Sequence, residues 1–371
     1  MKFPSIAILD LIGLVYDGST LSKRGLGGSE SAVILMAKEL RKLGFPVTVF
    51  NACGVDDGIP GIYSGVNYRP VKSLNSKDTF DIVISSRTVV PFVPESNYQA
   101  FNGATAYPCE LFENVRKNAK LKVLWMHDTF CNGDQIVEDL LVHGYIDKLF
   151  TLSDFHTSYV TTCDHGKRRN FEVLKNKVFQ TRNGVVQYFD EVDISQKDIN
   201  LFVYNASVTK GLIPLIDKIW PTIKQYIPQA KLKVIGGYYK FRDDSPLDAQ
   251  GETLTKLAKD QKYKDLNIEF TGIISQEEIA KILSEASMFL FPGAFPETFG
   301  ISTLESLTYN TPLVATRFGA LEETAVEQAC YFINYAIEPN SLFRDIDTDL
   351  QCSRFASTVI GAYNNTYLHQ Q

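Results

Sequence analysis

The sequence predicts an α/β chain of two doubly wound, Rossmann-like domains, and three observations carry that prediction. Short apolar runs rich in Val, Ile, Leu and Phe, each too compact for a helix, recur along the chain with amphipathic helical patterns between them. The same alternation starts twice, once near the first residues and again after Val185. At 371 residues the chain exceeds what one hydrophobic core usually organises, and 44% apolar, 22% charged and 12% aromatic residues suit a globular protein with substantial cores.

In the first half, buried parallel strands are expected at 5–9, 47–50, 81–85, 121–126, 148–152 and 178–181. Between the first two, Val33, Met36, Ala37, Leu40 and Leu43 follow helical spacing and place an amphipathic helix over 29–43. After Val185, strands are expected at 201–204, 232–236, 268–272, 288–291, 313–316 and 331–334, with helices over 211–227, 276–285, 300–309 and 321–328. Pro221 and Pro228 predict a kink or split in the first of these helices. The polar, acidic stretch QYFDEVDISQKD marks the break between the halves. The domains are therefore read as 1–188 and 189–345, followed by a C-terminal helix in 346–371 with packing back on the first domain as an open option.

Composition narrows the function classes. No apolar run approaches the roughly 18 residues of a membrane span, so no integral membrane association is expected. The opening MKFPSIAILDLIG lacks a leader's basic region and long apolar segment, which points to a cytoplasmic protein. Six cysteines without a CxxC pair read as reduced thiols, and Cys163 with His165 lacks a second ligand pair, so no metal site is expected. A net charge of −6 argues against a large nucleic-acid footprint, leaving only the short basic strip Lys167–Arg169.

The densest chemical signal follows the expected strand at 288–291. A loop carries Glu297, Gly300 opens a helix, and a second carboxylate, Glu305, lies within that helix. A helix start offers unpaired N–H groups and a positive dipole end suited to a diphosphate. Glu297 can accept hydrogen bonds from sugar hydroxyls, and Glu305 can hold two ribose hydroxyls as dinucleotide-binding acids do. A nucleotide sugar contains these three parts in series.

With Pro292 before it and Pro312-Leu-Val-Ala-Thr after it, this E-x7-E arrangement resembles the retaining GT-B glycosyltransferases of glycosyltransferase family 4, the glycosyl transferases group 1. The resemblance extends through Phe270-Thr-Gly272, the acidic helix 276–285 and Gly319-Ala-Leu-Glu322-Glu323, and so covers essentially the second half. It implies a GT-B fold, two Rossmann-like domains facing across a cleft, with the first binding the acceptor and the second a nucleoside diphosphate sugar.

Further residues follow from the resemblance. In the loop Tyr204 to Leu212 the family presents basic residues to the donor diphosphate; Lys210 stands at the Lys-Gly position, Asn205 where Arg is common, and Ser207 is the alternative phosphate contact. A lone Lys supplies a point charge without the planar fork of Arg. Gly27-Gly28-Ser29-Glu30 matches a Gly-Gly-x-Glu loop set against the pyrophosphate and the acceptor, with Ser29 as a plausible helix N-cap. His127-Asp128 follows a buried strand, where the family's His-Asp or His-Glu pair contacts the transferred sugar, so His127 is assigned to substrate positioning and oxyanion-side stabilisation. Asn183 matches the family's Asn-Gly-Val segment and would face the sugar or set the interdomain turn. Gly236-Gly237 allows close approach of the nucleotide, and backbone around Ile273 to Ser275 would face the base.

The catalytic set is thus His127, Glu297 and Lys210, and the donor set adds Gly28, Ser207, Gly236, Ile273, Thr298, Phe299, Gly300 and Glu305. The implied reaction is transfer with retention, the leaving diphosphate helping to deprotonate the incoming hydroxyl. Neither cofactor nor metal is expected, because Lys210 and the N–H groups near Gly28 and Gly300 can neutralise the diphosphate. The acidic pairs Asp56-Asp57 and Asp243-Asp244 fall in expected loops. A UDP-sugar is the favoured donor and a saccharide or other soluble hydroxyl compound the favoured acceptor. Two alternatives stay open: transfer to a hydroxylated base in nucleic acid, and a protein that binds a nucleotide or sugar without catalysis.

Overall fold

The computed structural model describes residues 3–54, 58–95, 107–131, 136–162, 174–236, 249–293, 295–334 and 348–370. Cys163, His165, Lys167–Arg169, Gly237 and the pairs Asp56-Asp57 and Asp243-Asp244 lie outside them. Two compact units divide the chain, the first built mainly from residues through Gly184 and the second mainly from Val185 onward. The division falls slightly before the expected 188/189 boundary. Tyr309 explains the shift: its hydroxyl accepts from the Tyr188 N–H at 3.0 Å and donates to the Val186 carbonyl at 3.2 Å, binding this stretch to the second unit.

The first unit holds an eight-stranded sheet: β1 Ile6–Leu9, β2 Val47–Asn51, β3 Gly61–Tyr63, β4 Val66–Pro70, β5 Ile82–Ser86, β6 Leu121–Trp125, β7 Lys148–Thr151 and β8 Val178–Gln180. The order is β3-β4-β2-β1-β5-β6-β7-β8, with β3 alone antiparallel to its neighbour. Six of these strands were expected. The β3–β4 hairpin was not, because its run is short, ends in Pro70 and leaves Ile62 exposed, so no apolar pattern marks it. Helix α1, Gly28–Lys42, buries Ala32, Val33, Ile34 and Ala37.

The second unit's sheet comprises β9 Asp198–Asn205, β10 Lys231–Ile235, β11 Ile268–Gly272, β12 Ala286–Phe291, β13 Leu313–Thr316 and β14 Cys330–Ile333. All pairings are parallel, in the order β11-β10-β9-β12-β13-β14. Strands run outward from β9 in one direction and from β12 in the other, which is the Rossmann order with its reversal between β9 and β12. Alternate residues feed two cores. Met288, Leu290 and Val314 enter one, and Phe289, Phe291, Leu313 and Ala315 enter the other, as a sheet covered on both faces requires.

Helices cover these faces. Helix α2, Gln276–Glu285, starts at a capping box in which Ser275 Oγ accepts from the Glu278 N–H and Glu278 Oε2 accepts from the Ser275 N–H. The segment 212–226 is helical throughout, but Leu215–Ile219 widens into a π turn just before Trp220-Pro221. Pro221 lacks the N–H that would continue the α ladder, so it accounts for the expected irregularity; Pro228 falls beyond the helix. Helix α3 is Ile301–Thr308, and after Leu321–Thr324 the expected helix gives way to a single 3-10 turn at Glu327–Ala329.

The C-terminal helix α4, Asp349–Gln370, packs on the second unit. Cys352, Phe355, Ala356, Val359, Ala362 and Tyr363 are buried in the second unit's own core. Tyr363 Oη donates to Asn200 Oδ1 at 3.0 Å. That face of the sheet carries apolar side chains on β9, β10 and β12 that need cover, and α4 provides it.

Candidate functional site

Parallel strands end on one edge, so each loop after a β-strand C-terminus in the second unit opens on the same side. Ser207 and Lys210 follow β9, Gly236 follows β10, Ile273 follows β11, and Glu297 to Gly300 follow β12. The structure therefore gathers the expected donor residues of this unit on its carboxyl edge, centred on the β9/β12 reversal.

At that reversal Lys210 Nζ forms an ion pair with Glu297 Oε1 and lies 4.5 Å from the centroid of the Phe295 ring. Glu297 is largely buried, and apart from the ammonium its Oε1 meets no hydrogen-bond donor among the described residues. Backbone packing holds both partners. A Cβ on Gly293 would stand 2.2 Å from the Lys210 carbonyl oxygen, and one on Gly211 would stand 2.7 Å from the Gly293 nitrogen. Behind Glu297, Gly319 at φ +70 approaches so closely that a Cβ would stand 2.6 Å from the Glu297 nitrogen, while the Ala320 N–H donates to the Glu297 carbonyl at 2.8 Å. Glycine is required at each of these contacts.

Gly300 adopts φ +84 as the N-cap of α3, and the first intrahelical bond runs from the Leu304 N–H to its carbonyl. The N–H groups of Ile301, Ser302 and Thr303 thus have no acceptor inside the helix. Thr298 and Phe299 are buried, which limits Phe299 to a backbone role toward any ligand. One turn into α3, the Glu305 carboxyl has its pKa pushed up to about 7 by desolvation. No hydrogen bond or ion pair engages that carboxyl among the described residues.

The neighbouring loops leave room. Ser207 is the N-cap of a 3-10 turn at Val208–Lys210, with its hydroxyl 3.1 Å from Thr209 Oγ1. Gly236 (φ +146) and Gly272 (φ +71) form an isolated bridge, and a Cβ on Gly272 would meet nothing within 4 Å. Ile273 sits between that bridge and the Ser275 cap.

In the first unit the expected residues also lie on the sheet's carboxyl edge: Gly28 and Ser29 open α1 after β1, His127 follows β6 and Asn183 follows β8. Ser29 is not the N-cap. Gly27 occupies that position without a side-chain bond, because the helix begins one residue earlier than the apolar pattern indicates. His127 is buried, its ring centroid 4.3 Å from that of Trp125. Burial, the nearby Arg87 charge and His156 hold its pKa well below the usual range, so the imidazole is neutral. His156, not singled out from sequence, supports the turn after β6. Its Nδ1 accepts from the Leu152 N–H at 3.2 Å and its Nε2 donates to the Asp128 carbonyl at 3.0 Å, with burial lowering its pKa to about 4.

Sequence reading also missed a buried ionic group at this unit's own strand reversal, between β1 and β5. Arg87 Nη2 donates to Asp10 Oδ1 at 3.1 Å and to Glu30 Oε1 at 2.9 Å, and Tyr16 Oη donates to Asp10 Oδ2 at 2.8 Å. Burial raises the Asp10 pKa against the pull of Arg87. Arg87 itself has φ 63, a conformation uncommon outside glycine, and its N–H donates to the Trp125 carbonyl at 3.0 Å. The only signal in the sequence was the position of Glu30 beside the Gly27-Gly28 turn.

Among the described residues, no group of three or more His, Cys, Asp or Glu side chains could hold a metal ion, and no helix is long and apolar enough to cross a membrane. The described cysteines, Cys53, Cys109, Cys131, Cys330 and Cys352, are free thiols.

Residues 187–354 match the family model described as glycosyl transferases group 1. A GDP-mannose-dependent alpha-(1-6)-phosphatidylinositol dimannoside mannosyltransferase of Mycobacterium tuberculosis is 41% identical over 90 residues, which are 24% of this chain and 23% of that protein's length. The match thus spans about a quarter of that relative. The catalytic domain of starch synthase IV from Arabidopsis thaliana, bound to ADP and acarbose, superposes with a TM-score of 0.60 at 12% identity, covering 99% of this chain and 98% of that one. Anabaena HepE in complex with UDP and glucose gives 0.56 at 16% identity, covering 98% and 95%. The fold is therefore that of the GT-B glycosyltransferases, and residues 187–354, which hold the Lys210–Glu297 pair, are the part of the chain that matches the glycosyl transferases group 1 model.

Proposed function

We propose that this chain is a retaining glycosyltransferase that moves a hexose from a nucleoside diphosphate sugar to a hydroxyl of a saccharide acceptor. The observation that carries the reading is the cation and carboxylate paired at the β9/β12 reversal beside the open N-terminus of α3. Lys210 and the N–H groups of Ile301 and Ser302 take the diphosphate, Glu297 takes sugar hydroxyls, and Glu305 takes the ribose diol. Gly236 and the backbone at Ile273 border the base, with Ser207 as a further phosphate contact. The first unit serves the acceptor and the transferred sugar through Gly28, Ser29, His127 and Asn183. A neutral His127 donates or accepts a hydrogen bond without adding charge at the anomeric carbon. The leaving diphosphate takes the proton of the incoming hydroxyl on the same face of the sugar, and no metal is required.

For the donor, a UDP-sugar is the first choice, in keeping with HepE, which was seen with UDP and glucose. The mycobacterial relative is named for GDP-mannose and for a phosphatidylinositol dimannoside, which supports a hexose donor and an acceptor hydroxyl carried on a sugar. The test is incubation of the protein, with and without EDTA, with UDP-, GDP- and ADP-hexoses, followed by release of the nucleoside diphosphate. Release from one of them, undiminished by EDTA and faster with a saccharide acceptor, supports the reading. Absence of both binding and release with all three donors refutes it.

A further inference from the structure

Glu297 occupies the charge on which a diphosphate would depend. Its carboxylate pairs with Lys210, the cation that the loop after β9 offers to the proposed site, and its buried Oε1 meets no other donor among the described residues. The backbones of Gly293 and Gly319 lie close against those of Lys210 and Glu297, too close for a Cβ at either glycine. An incoming anion has to share the ammonium with Glu297 or take it from Glu297.

We propose that Glu297 makes the site discriminate between substrate and product, favouring the nucleotide sugar over the bare nucleoside diphosphate. This rests on the donor reading of the same site. A nucleotide sugar brings hydroxyls that donate to Glu297 as Lys210 turns to the phosphates, so every charge keeps a partner. A nucleoside diphosphate brings more negative charge and no hydroxyl for Glu297. It leaves a largely buried carboxylate facing a phosphate, or competes with it for one cation. Product is thereby expelled after transfer, and Glu297 resumes its pairing with Lys210.

The consequence has an unusual sign: removing a charged residue of the site tightens one ligand. Calorimetry with UDP, GDP and ADP on the full chain first finds which diphosphate the protein binds. For that diphosphate, Glu297→Gln is expected to bind roughly three- to tenfold tighter than the unsubstituted protein, while the matching nucleotide sugar binds more weakly. In a Lys210→Met background the tightening disappears, because the competition runs through the ammonium. Glu297→Ala repeats the comparison should the Gln variant fail to fold, with thermal melting as the check. Equal or weaker diphosphate binding in folded Glu297 variants overturns the inference and leaves the donor reading standing. If none of the three diphosphates and none of their hexose derivatives binds the unsubstituted protein, the donor reading falls and takes the inference with it.

Discussion

Arg87 donates to Glu30 at 2.9 Å through its guanidinium and to the Trp125 carbonyl at 3.0 Å through its backbone N–H, so one residue ties the first turn of α1 to the end of β6. The same guanidinium holds Asp10 at the end of β1. Gly28, Ser29 and His127 hang from these three elements. Their positions thus depend on a charge group that touches no proposed substrate atom.

Arg87→Met should leave Asp10 and Glu30 as two buried carboxylates without their cation, a loss of about 3–5 kcal/mol from the first unit. Urea denaturation followed by Trp125 fluorescence measures it. Asp10→Asn combined with Arg87→Met should recover part of the loss, because only one buried negative charge then remains. A cost under about 1 kcal/mol, typical of an exposed pair, would mean that the group contributes little.

Glu305 predicts a pH dependence with a definite sign. Its pKa is about 7 in the fold against 4.5 for an ordinary Glu, so between those values the folded chain holds more protons than the unfolded one. Stability from this group is therefore lost as pH rises through the window. Glu305→Gln should gain relative to the unsubstituted protein at pH 8 but not at pH 4.5. The difference is about 1 kcal/mol after allowing for partial exposure, or roughly 2–4 °C in melting temperature. An equal effect at both pH values would show that the carboxyl titrates normally.

Gly319→Ala tests the backbone behind Glu297. The substitution meets both a positive φ and a Cβ 2.6 Å from the Glu297 nitrogen, so the loop has to shift. Donor affinity is expected to fall about tenfold or more, with the first unit's unfolding transition unchanged. Unaltered affinity would show that the position of Glu297 does not matter to the donor.

Most of the architecture was legible because parallel strands buried on both faces read as continuous apolar runs. Phe289 and Phe291 serve one core while Met288 and Leu290 serve the other, so nothing in β12 needs to be polar. The β3–β4 hairpin was hidden for the opposite reason: an edge with an exposed Ile62 and a terminal Pro70 has no such run. Ser29 misled because Ser is a favoured cap, yet Gly27 takes that place without a side chain. Among the candidate residues, Glu297, Gly300 and Glu305 could be found together because they share one loop and helix. The pairing of Glu297 with Lys210 depends instead on strands β9 and β12 being neighbours, and the group around Arg87 on β1 and β5 being neighbours. Such contacts between distant residues leave no local pattern.

In the proposed reaction Lys210, the cation after β9, binds the donor's diphosphate. Calorimetric titration of the preferred nucleotide sugar into the unsubstituted protein and into folded Lys210→Met measures this directly. Affinity in the variant is expected to be lower by about 30-fold, the scale of one lost charge-assisted hydrogen bond. Equal affinity in the two proteins would contradict it.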